Sequence, residues 1–559
     1  MSNPHTPNTR PGGPSADRRN FAGFFAATMV TVASLSFWAL CGADPAAANA
    51  KHEAVIAHAG PVAVAVAVAA PAGSDVAEVP AVVLAQTVAQ TSTQTSAQTP
   101  ARQLAGLELA ADIVPASAEG STDNAPFAHI YLAAINNGQA AIDALGRDLP
   151  QVAAWYGHSS AEFAQMLLGD RSLHVDRKGR LLYIDDHRVA EPQPTPAGQV
   201  EAGDKATGGV ASTTGAPFAL SETFTLHTRS ASSRVVYLNF QGEGSKPAFD
   251  LDKKVTTFND AERAMIQRIW LRVAEDFSAF DVDITTEPPQ DYAAKLGVTV
   301  LITNQASDAG GYAYLNAFSR FKPNPALAFC FQNNLANSEK PIAECVSHEL
   351  GHTLGLHHMG DTKTTYYGGF GSGDTGWAPI MGVSYYKNLT QWAKGEYLGA
   401  NNKEDAYAVM ARQGLNPRAD DHGNTRVTAT ALTRSDSGGA VMLRAAGVIE
   451  SPADVDMFSF GAGAGDLNLS VTPSAWSGNL DVTIELLDAN GKSLASGNPL
   501  DKLGASLSLK LSLPGTYYLA VRGVGQGNPA SASGYSNYGS VGQYNISGAA
   551  MPLPPGTKR

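Results

Sequence analysis

Cysteine is almost missing from this chain: Cys41, Cys330 and Cys345 are the only three among 559 residues. That excludes a disulfide-dense scaffold and any Cys-rich zinc finger. Charge is scarce as well, at 16% of residues, and it leans acidic, with 39 Lys and Arg against 51 Asp and Glu. A nucleic-acid partner needs a basic face to meet phosphates, so no nucleic acid is expected. Beyond residue 50 there is no run of about 18 strongly apolar residues, which argues against a stable membrane span in a mature form. What the chain does have is length for three or four domains at about 150 residues each. Its hydrophobic fraction of 44% suffices for packed cores.

Residues 1–20 are polar and carry Arg10, Arg18 and Arg19, residues 21–40 are apolar, and Ala48-Asn49-Ala50 fits an A-x-A cleavage site. Together these predict a secretion signal over 1–50 and a secreted, extracellular protein. A periplasmic or lipid-anchored destination is the alternative, but Leu40 precedes Cys41 where lipoprotein signals have a small residue. Residues 51–125 hold a Val/Ala alternation and a Gln/Thr/Ser tract, a low-complexity linker. At 126–190 the pattern becomes that of a small α/β unit. Ser159 and Glu162 form a capping box ahead of Phe163, Met166 and Leu167, and strands at 173–175 and 181–184 flank a turn at 176–179. A second Pro/Gly/Thr-rich linker fills 191–230. An ordered unit on a cleavable tether predicts a propeptide, with inhibition of the domain after it one role open to it; a plain accessory domain is the alternative.

Residues 231–415 alternate strand and helix signals. Strands are expected at 234–240, 282–284, 298–302 and 328–331. A helix is expected over 260–280, where Ile266, Ile269, Trp270, Val273 and Phe277 repeat at helical spacing. Residues 420–550 break into short alternating runs separated by turns such as Asn490-Gly491 and Pro514-Gly515, the texture of an antiparallel β-sandwich.

The chemistry concentrates in HELGHTLGLHH, residues 348–358. His348 and His352 lie four apart, so a helix stacks both imidazoles on one face, the geometry for gripping one zinc ion. Gly355 can take a positive φ, end the helix and let the chain return with His358 as third ligand; His357 is the rival. Three imidazoles leave a fourth zinc position for water, as in a catalytic rather than a structural site. Glu349 is the candidate general base that deprotonates the zinc-activated water.

These eleven residues resemble the signature of the metzincin zinc peptidases. The resemblance implies a mixed twisted sheet plus an active-site helix, and a methionine turn, for which Pro379-Ile380-Met381-Gly382 is the candidate. Several family members carry a tyrosine two residues past that methionine. Val383 stands there instead, and Tyr385 is the nearest candidate for the catalytic tyrosine. The resemblance also implies that 310–314 (GGYAY) is the sheet edge over the cleft, where a substrate peptide adds as a strand. At 420–424 (DDHGN), 449–458 (IESPADVDMF) and 516–522 (TYYLAVR) the chain resembles the bacterial pre-peptidase C-terminal domain. Asp421, Asp454 and Asp456 there are candidate Ca2+ ligands, or else solvated turn acids.

Cys330 and Cys345, in an oxidising compartment, are expected to form one disulfide worth about 3 kcal/mol. The propeptide unit has no cysteine, so latency cannot use a thiolate on zinc; Asp185 or Asp186 is the candidate blocking carboxylate. The expected fold is thus multidomain: a small α/β propeptide-like unit, an α+β metzincin-like catalytic domain, then an all-β sandwich. The expected function is that of a secreted zinc endopeptidase acting on protein or peptide substrates. The competing reading is a non-catalytic secreted binding protein with a vestigial zinc site; an enzyme acting on a non-peptide bond is a third.

Overall fold

The computed structural model describes residues 127–189, 215–321 and 325–556, so the expected signal, Cys41, the first linker and most of the second lie outside the described residues. From Asn136 the chain forms β1 (Asn136–Asn137), then α1 (Gly138–Leu145), α2 (Leu149–Tyr156) and α3 (Ser160–Gly169). The start of α3 is set by its expected capping box: the Ser159 side chain accepts from the Glu162 N–H, and the Glu162 carboxylate accepts from the Ser159 N–H. A hairpin comes next, β2 (Leu173–Val175) and β3 (Leu181–Asp185). Asp176 closes its turn by accepting from the N–H groups of Lys178 and Arg180. Phe127, Val152, Phe163, Leu167 and Leu173 form a small core of their own beneath it.

The next segment supplies β4 (Arg234–Asn239), α4 (Asp260–Asp276), β5 (Asp283–Thr285), β6 (Leu296–Thr303), β7 (Gly311–Tyr314), α5 (Ala317–Arg320), β8 (Ala328–Phe331) and α6 (Glu339–Thr353). Helix α4 stops at Asp276, short of the expected residue 280. The N–H of Ser278 turns back to Glu275 O and that of Phe280 to Phe277 O, so both phenylalanines reach the core from a turn instead. A two-stranded parallel ladder, β9 (Trp377–Pro379) with β10 (Leu389–Gln391), and α7 (Ala406–Arg412) complete the segment.

The expected propeptide unit does not stand apart from this sheet. The order is β1-β2-β3-β7-β8-β6-β4-β5, eight strands in all. β4, β5, β6 and β8 run parallel, β7 is antiparallel to β8, and β3 lies antiparallel on β7 with Asp185 opposite Gly311. The hairpin therefore occupies the edge that the sequence offered to substrate.

Residues after 420 form two five-stranded sheets. Their alternation packs Phe458, Leu486 and Leu519 from one sheet against Leu467, Leu469 and Ile546 from the other. The sandwich packs directly on the first sheet's helices. Asn479 donates to Asp276 (2.8 Å) and Gln543 to Glu275 (2.9 Å), while Trp377 stacks near Tyr535 with centroids 6.3 Å apart. The whole is multi-sheet and β-rich with a few helices, and among the described residues no helix is long and apolar enough to cross a membrane.

Candidate metal centre

Helix α6 brings His348, Glu349 and His352 into the interior, each buried. Gly355, at φ +89°, reverses the chain just past the helix, a conformation that costs a Cβ-bearing residue. The return delivers His358, not His357. His357 is turned aside by Glu404, whose carboxylate accepts from its N–H (2.7 Å) and pairs with its ring (3.2 Å).

The tautomers of the three imidazoles are set by their partners. His348 Nδ1 lies 2.8 Å from Ile380 O and His352 Nδ1 lies 2.8 Å from Leu356 O; a carbonyl only accepts, so both nitrogens donate. His358 Nδ1 faces the Asp170 carboxylate at 3.0 Å and Ser172 Oγ at 3.2 Å. The Nε2 atoms of His348 and His352 are thereby left with lone pairs toward the centre, and His358 Nε2 joins them there, 3.1 Å from His352 Nε2. Such outer bonds orient metal-binding imidazoles.

A fourth group enters from β3. Asp185 Oδ2 lies 3.2 Å from His348 Nε2 and 3.4 Å from His352 Nε2, and Oδ1 lies 3.1 Å from His358 Nε2. These four ligand atoms all fall within 4.8 Å of one another, and all four residues are buried. His348 Nε2, Asp185 Oδ2 and Glu349 Oε2 are buried without a hydrogen-bond partner. Unpaired buried polar atoms are costly, and a shared cation would satisfy two of them at once. Three nitrogens and one oxygen suit zinc, so the residues present fit the ion the sequence implied. Buried Asp and His groups capable of holding a metal are thus a feature of this fold.

Burial disfavours every charge here, and the neighbours decide the outcome. Desolvation acts to raise the Asp185 carboxyl, but the charge of His358 and the close approach of the His348 and His352 rings outweigh it and hold it well below the usual range. Burial lowers His352 to about 4. His358 is desolvated too, yet Asp185 and Asp170 raise it to about 9. Glu349 is pushed well above the ordinary carboxyl range, first by burial and then by Asp185.

Glu349 sits against β7: a Cβ on Gly311 there would overlap its carboxylate. Met381 lies beneath the helix, where a Cβ on Gly351 would overlap its sulfur. The turn that carries it is closed by the N–H of Gly382 on Pro379 O (2.9 Å). Tyr385 is half-buried and packs edge-on to His187 at 5.6 Å; no hydrogen bond joins it to the histidines among the described residues. Tyr366 is the tyrosine at the cluster instead. Its hydroxyl donates to Asp185 Oδ1 (2.8 Å) and its ring lies 4.4 Å from that of His358. Neither Tyr366 nor Asp170 carries a local sequence signal, since a turn tyrosine and a helix-end aspartate are commonplace.

The two cysteines expected to pair are brought together: Cys330 on β8 and Cys345 on α6 are buried, with their Sγ atoms 2.7 Å apart. Of the expected calcium ligands, Asp454 groups with Asp420 and Glu450. Asp421 lies 3.6 Å from Arg418 and 3.7 Å from His422, and Asp456 is fully buried beneath the Tyr544 hydroxyl.

No family model matches the chain, and no curated protein matches it. Among solved structures, the pre-peptidase C-terminal domain of a collagenase from Bacillus anthracis is similar at 18% identity and a TM-score of 0.15, over 24% of this chain and 99% of that one. The periplasmic lysozyme inhibitors PliG of Aeromonas hydrophila and Salmonella Typhimurium are similar at 12% and 18% identity, with TM-scores of 0.16 and 0.13, each over 22% of this chain and over 94% and 97% of their own. At such scores these likenesses carry no functional argument.

Proposed function

We propose that this protein is a secreted, metzincin-like zinc endopeptidase held latent by its own segment 127–189. The observation that carries the reading is the convergence of three Nε2 atoms beside a buried glutamate. His348, His352 and His358 would hold the ion, which, when bound, polarises a carbonyl and acidifies water. The remaining work belongs to the chain. Ile380 O and Leu356 O keep two imidazoles in the ligating tautomer. Glu349 takes the proton of the attacking water and passes it to the leaving nitrogen. The edge of β7 offers main-chain groups to an extended peptide, the use that β3 makes of it.

Latency rests on the same contacts. β3 fills the strand position of a substrate, and Asp185 fills the coordination space among the imidazoles. An intact Glu349 favours an enzyme over a binding protein with a vestigial site. The test is Glu349→Gln in enzyme matured from the full chain, assayed on a denatured protein mixture alongside metal content. Zinc should remain while cleavage disappears; undiminished cleavage would refute the role given to Glu349, and a wild type that binds zinc but cuts nothing would favour the binding protein.

A calcium ion at the head of the sandwich completes the reading. Burial, with Asp421 and Asp454 nearby, raises Glu450 to about 9; burial and the neighbouring acids raise Asp456 to about 8. Asp420, Glu450 and Asp454 bring carboxylate oxygens together there, and Glu450 Oε2 is buried and unpartnered. Oxygen-only ligands of this kind suit calcium. Calorimetric titration of the chain with calcium should give saturable heat that Asp454→Asn reduces; no saturable heat would remove the ion from the account.

A further inference from the structure

Asp185 presents its two oxygens to different surroundings. Oδ2 lies near His348 and His352 Nε2 and accepts no hydrogen bond. Oδ1 lies 3.1 Å from His358 Nε2 and accepts the Tyr366 hydroxyl at 2.8 Å. The carboxyl of Glu349 is the other acid facing this group. Two oxygens on one carbon, held between three imidazoles, a glutamate and a donor, match the demands of hydrolysis. When water adds to a peptide carbonyl, the reacting carbon also carries two oxygens, one from water and one from the carbonyl.

We propose that Tyr366 is a catalytic residue, the donor that stabilises the former carbonyl oxygen, and that Asp185 stands in the latent chain where the two oxygens of the adduct stand in the active one. This deepens the peptidase reading and rests on it. The water oxygen forms a bond to the scissile carbon, the carbonyl π pair moves onto its oxygen, and Glu349 receives the water's proton. As the carbon–nitrogen bond breaks, that pair returns to re-form the carbonyl and the proton on Glu349 passes to the nitrogen. Tyr366 keeps its own proton throughout and strengthens its hydrogen bond while the oxygen is negative. A donor that tightens only at that stage acts on the transition state more than on the ground state.

The position of Tyr366 supports this assignment over Tyr385. Tyr366 comes after His358 on the returning chain, its ring packs on His358 at 4.4 Å, and its hydroxyl reaches the cluster. Its neighbour Tyr367 anchors the backbone: the Tyr367 N–H donates to Met359 O at 2.8 Å, and its ring stacks on Tyr397 with centroids 4.3 Å apart. The donor is thus held on a braced segment rather than on a free loop.

The experiment compares wild type and Tyr366→Phe, both expressed as full chains and matured by limited proteolysis. Zinc content, thermal melting, kcat and KM on a peptide, and affinity for a phosphinic peptide that mimics the tetrahedral adduct are measured. The variant should keep one zinc and an unchanged melt, lose roughly 100-fold in kcat with KM little altered, and bind the phosphinic peptide correspondingly more weakly. Retained kcat and phosphinic affinity would overturn the proposal, as would a loss of zinc or a large loss seen in Tyr385→Phe instead. A wild type that cleaves no peptide would overturn the peptidase reading itself, and the role of Tyr366 with it.

Discussion

Asp170 and His358, 188 residues apart in the chain, are joined by a 3.0 Å hydrogen bond between a carboxylate oxygen and Nδ1. Burial acts to raise Asp170, but the bond to His358 and that imidazole's charge bring it down to about 2. The same imidazole meets Asp185 through Nε2. One histidine is therefore gripped at both nitrogens by the N-terminal segment, and Tyr183 covers the neighbouring His352 with ring centroids 4.0 Å apart.

Removing the inner of the two grips should weaken latency. In full-length Asp185→Ala, the unprocessed chain should cleave a fluorogenic peptide roughly 10- to 100-fold faster than unprocessed wild type, the size of a lost charge-assisted contact. Gel analysis of the same samples checks that the chains are intact. Equal silence in both, from preparations that become active once matured, would count against Asp185 as the blocking group.

The thiol pair makes a second prediction. Cys330 and Cys345 face each other across β8 and α6, close enough to join without moving either element. Oxidised protein should lose two hydrogens in intact mass and gain about 3 kcal/mol in denaturant unfolding over the reduced form. Alkylation of both thiols in unreduced, denatured protein would contradict this.

Interface chemistry makes the third. Burial, with Asp276 beside it, raises Glu275 from its ordinary 4.5 to about 8, and its carboxyl meets the N–H and side chain of Gln543 in the sandwich. Burial and the nearby Glu344 also raise Asp276. A raised folded value means that the folded state holds a proton which the unfolded chain has released. The stability it lends is full below about 4.5 and is lost as pH climbs to about 8. Glu275→Gln should flatten that decline, by up to about 1.4 kcal/mol per pH unit. Parallel unfolding curves for the two proteins between pH 5 and 8.5 would rule the effect out.

Much of the site was readable because its signals are local. The four-residue spacing of His348 and His352 fixes a shared helix face, Gly355 supplies the reversal, and Ser159 with Glu162 announces a helix start. Strands at 234–240 and 328–331 emerged within a residue of expectation because β-branched and aromatic runs say where a buried strand lies. What stayed hidden depends on tertiary convergence. Nothing near Asp170 or Ser172 signals a bond to His358, and nothing in β3 says that it will pair with β7. Asp185 was one of two adjacent carboxylates until strand register, Asp185 opposite Gly311, turned it inward. Tyr366 lies in an irregular stretch with no periodicity to read. Helix α4 ended early because its last two aromatics reach the core equally well from a turn.

Zinc-edge X-ray absorption on the full-length chain, paired with metal analysis, tests the central claim most directly. The account predicts one zinc per chain bound by three imidazole nitrogens at about 2.0 Å and one carboxylate oxygen at a similar distance, with the oxygen contribution changed in Asp185→Ala and an imidazole lost in His358→Ala. A chain that takes up no zinc, or one whose zinc spectrum is untouched by His358→Ala, would contradict it.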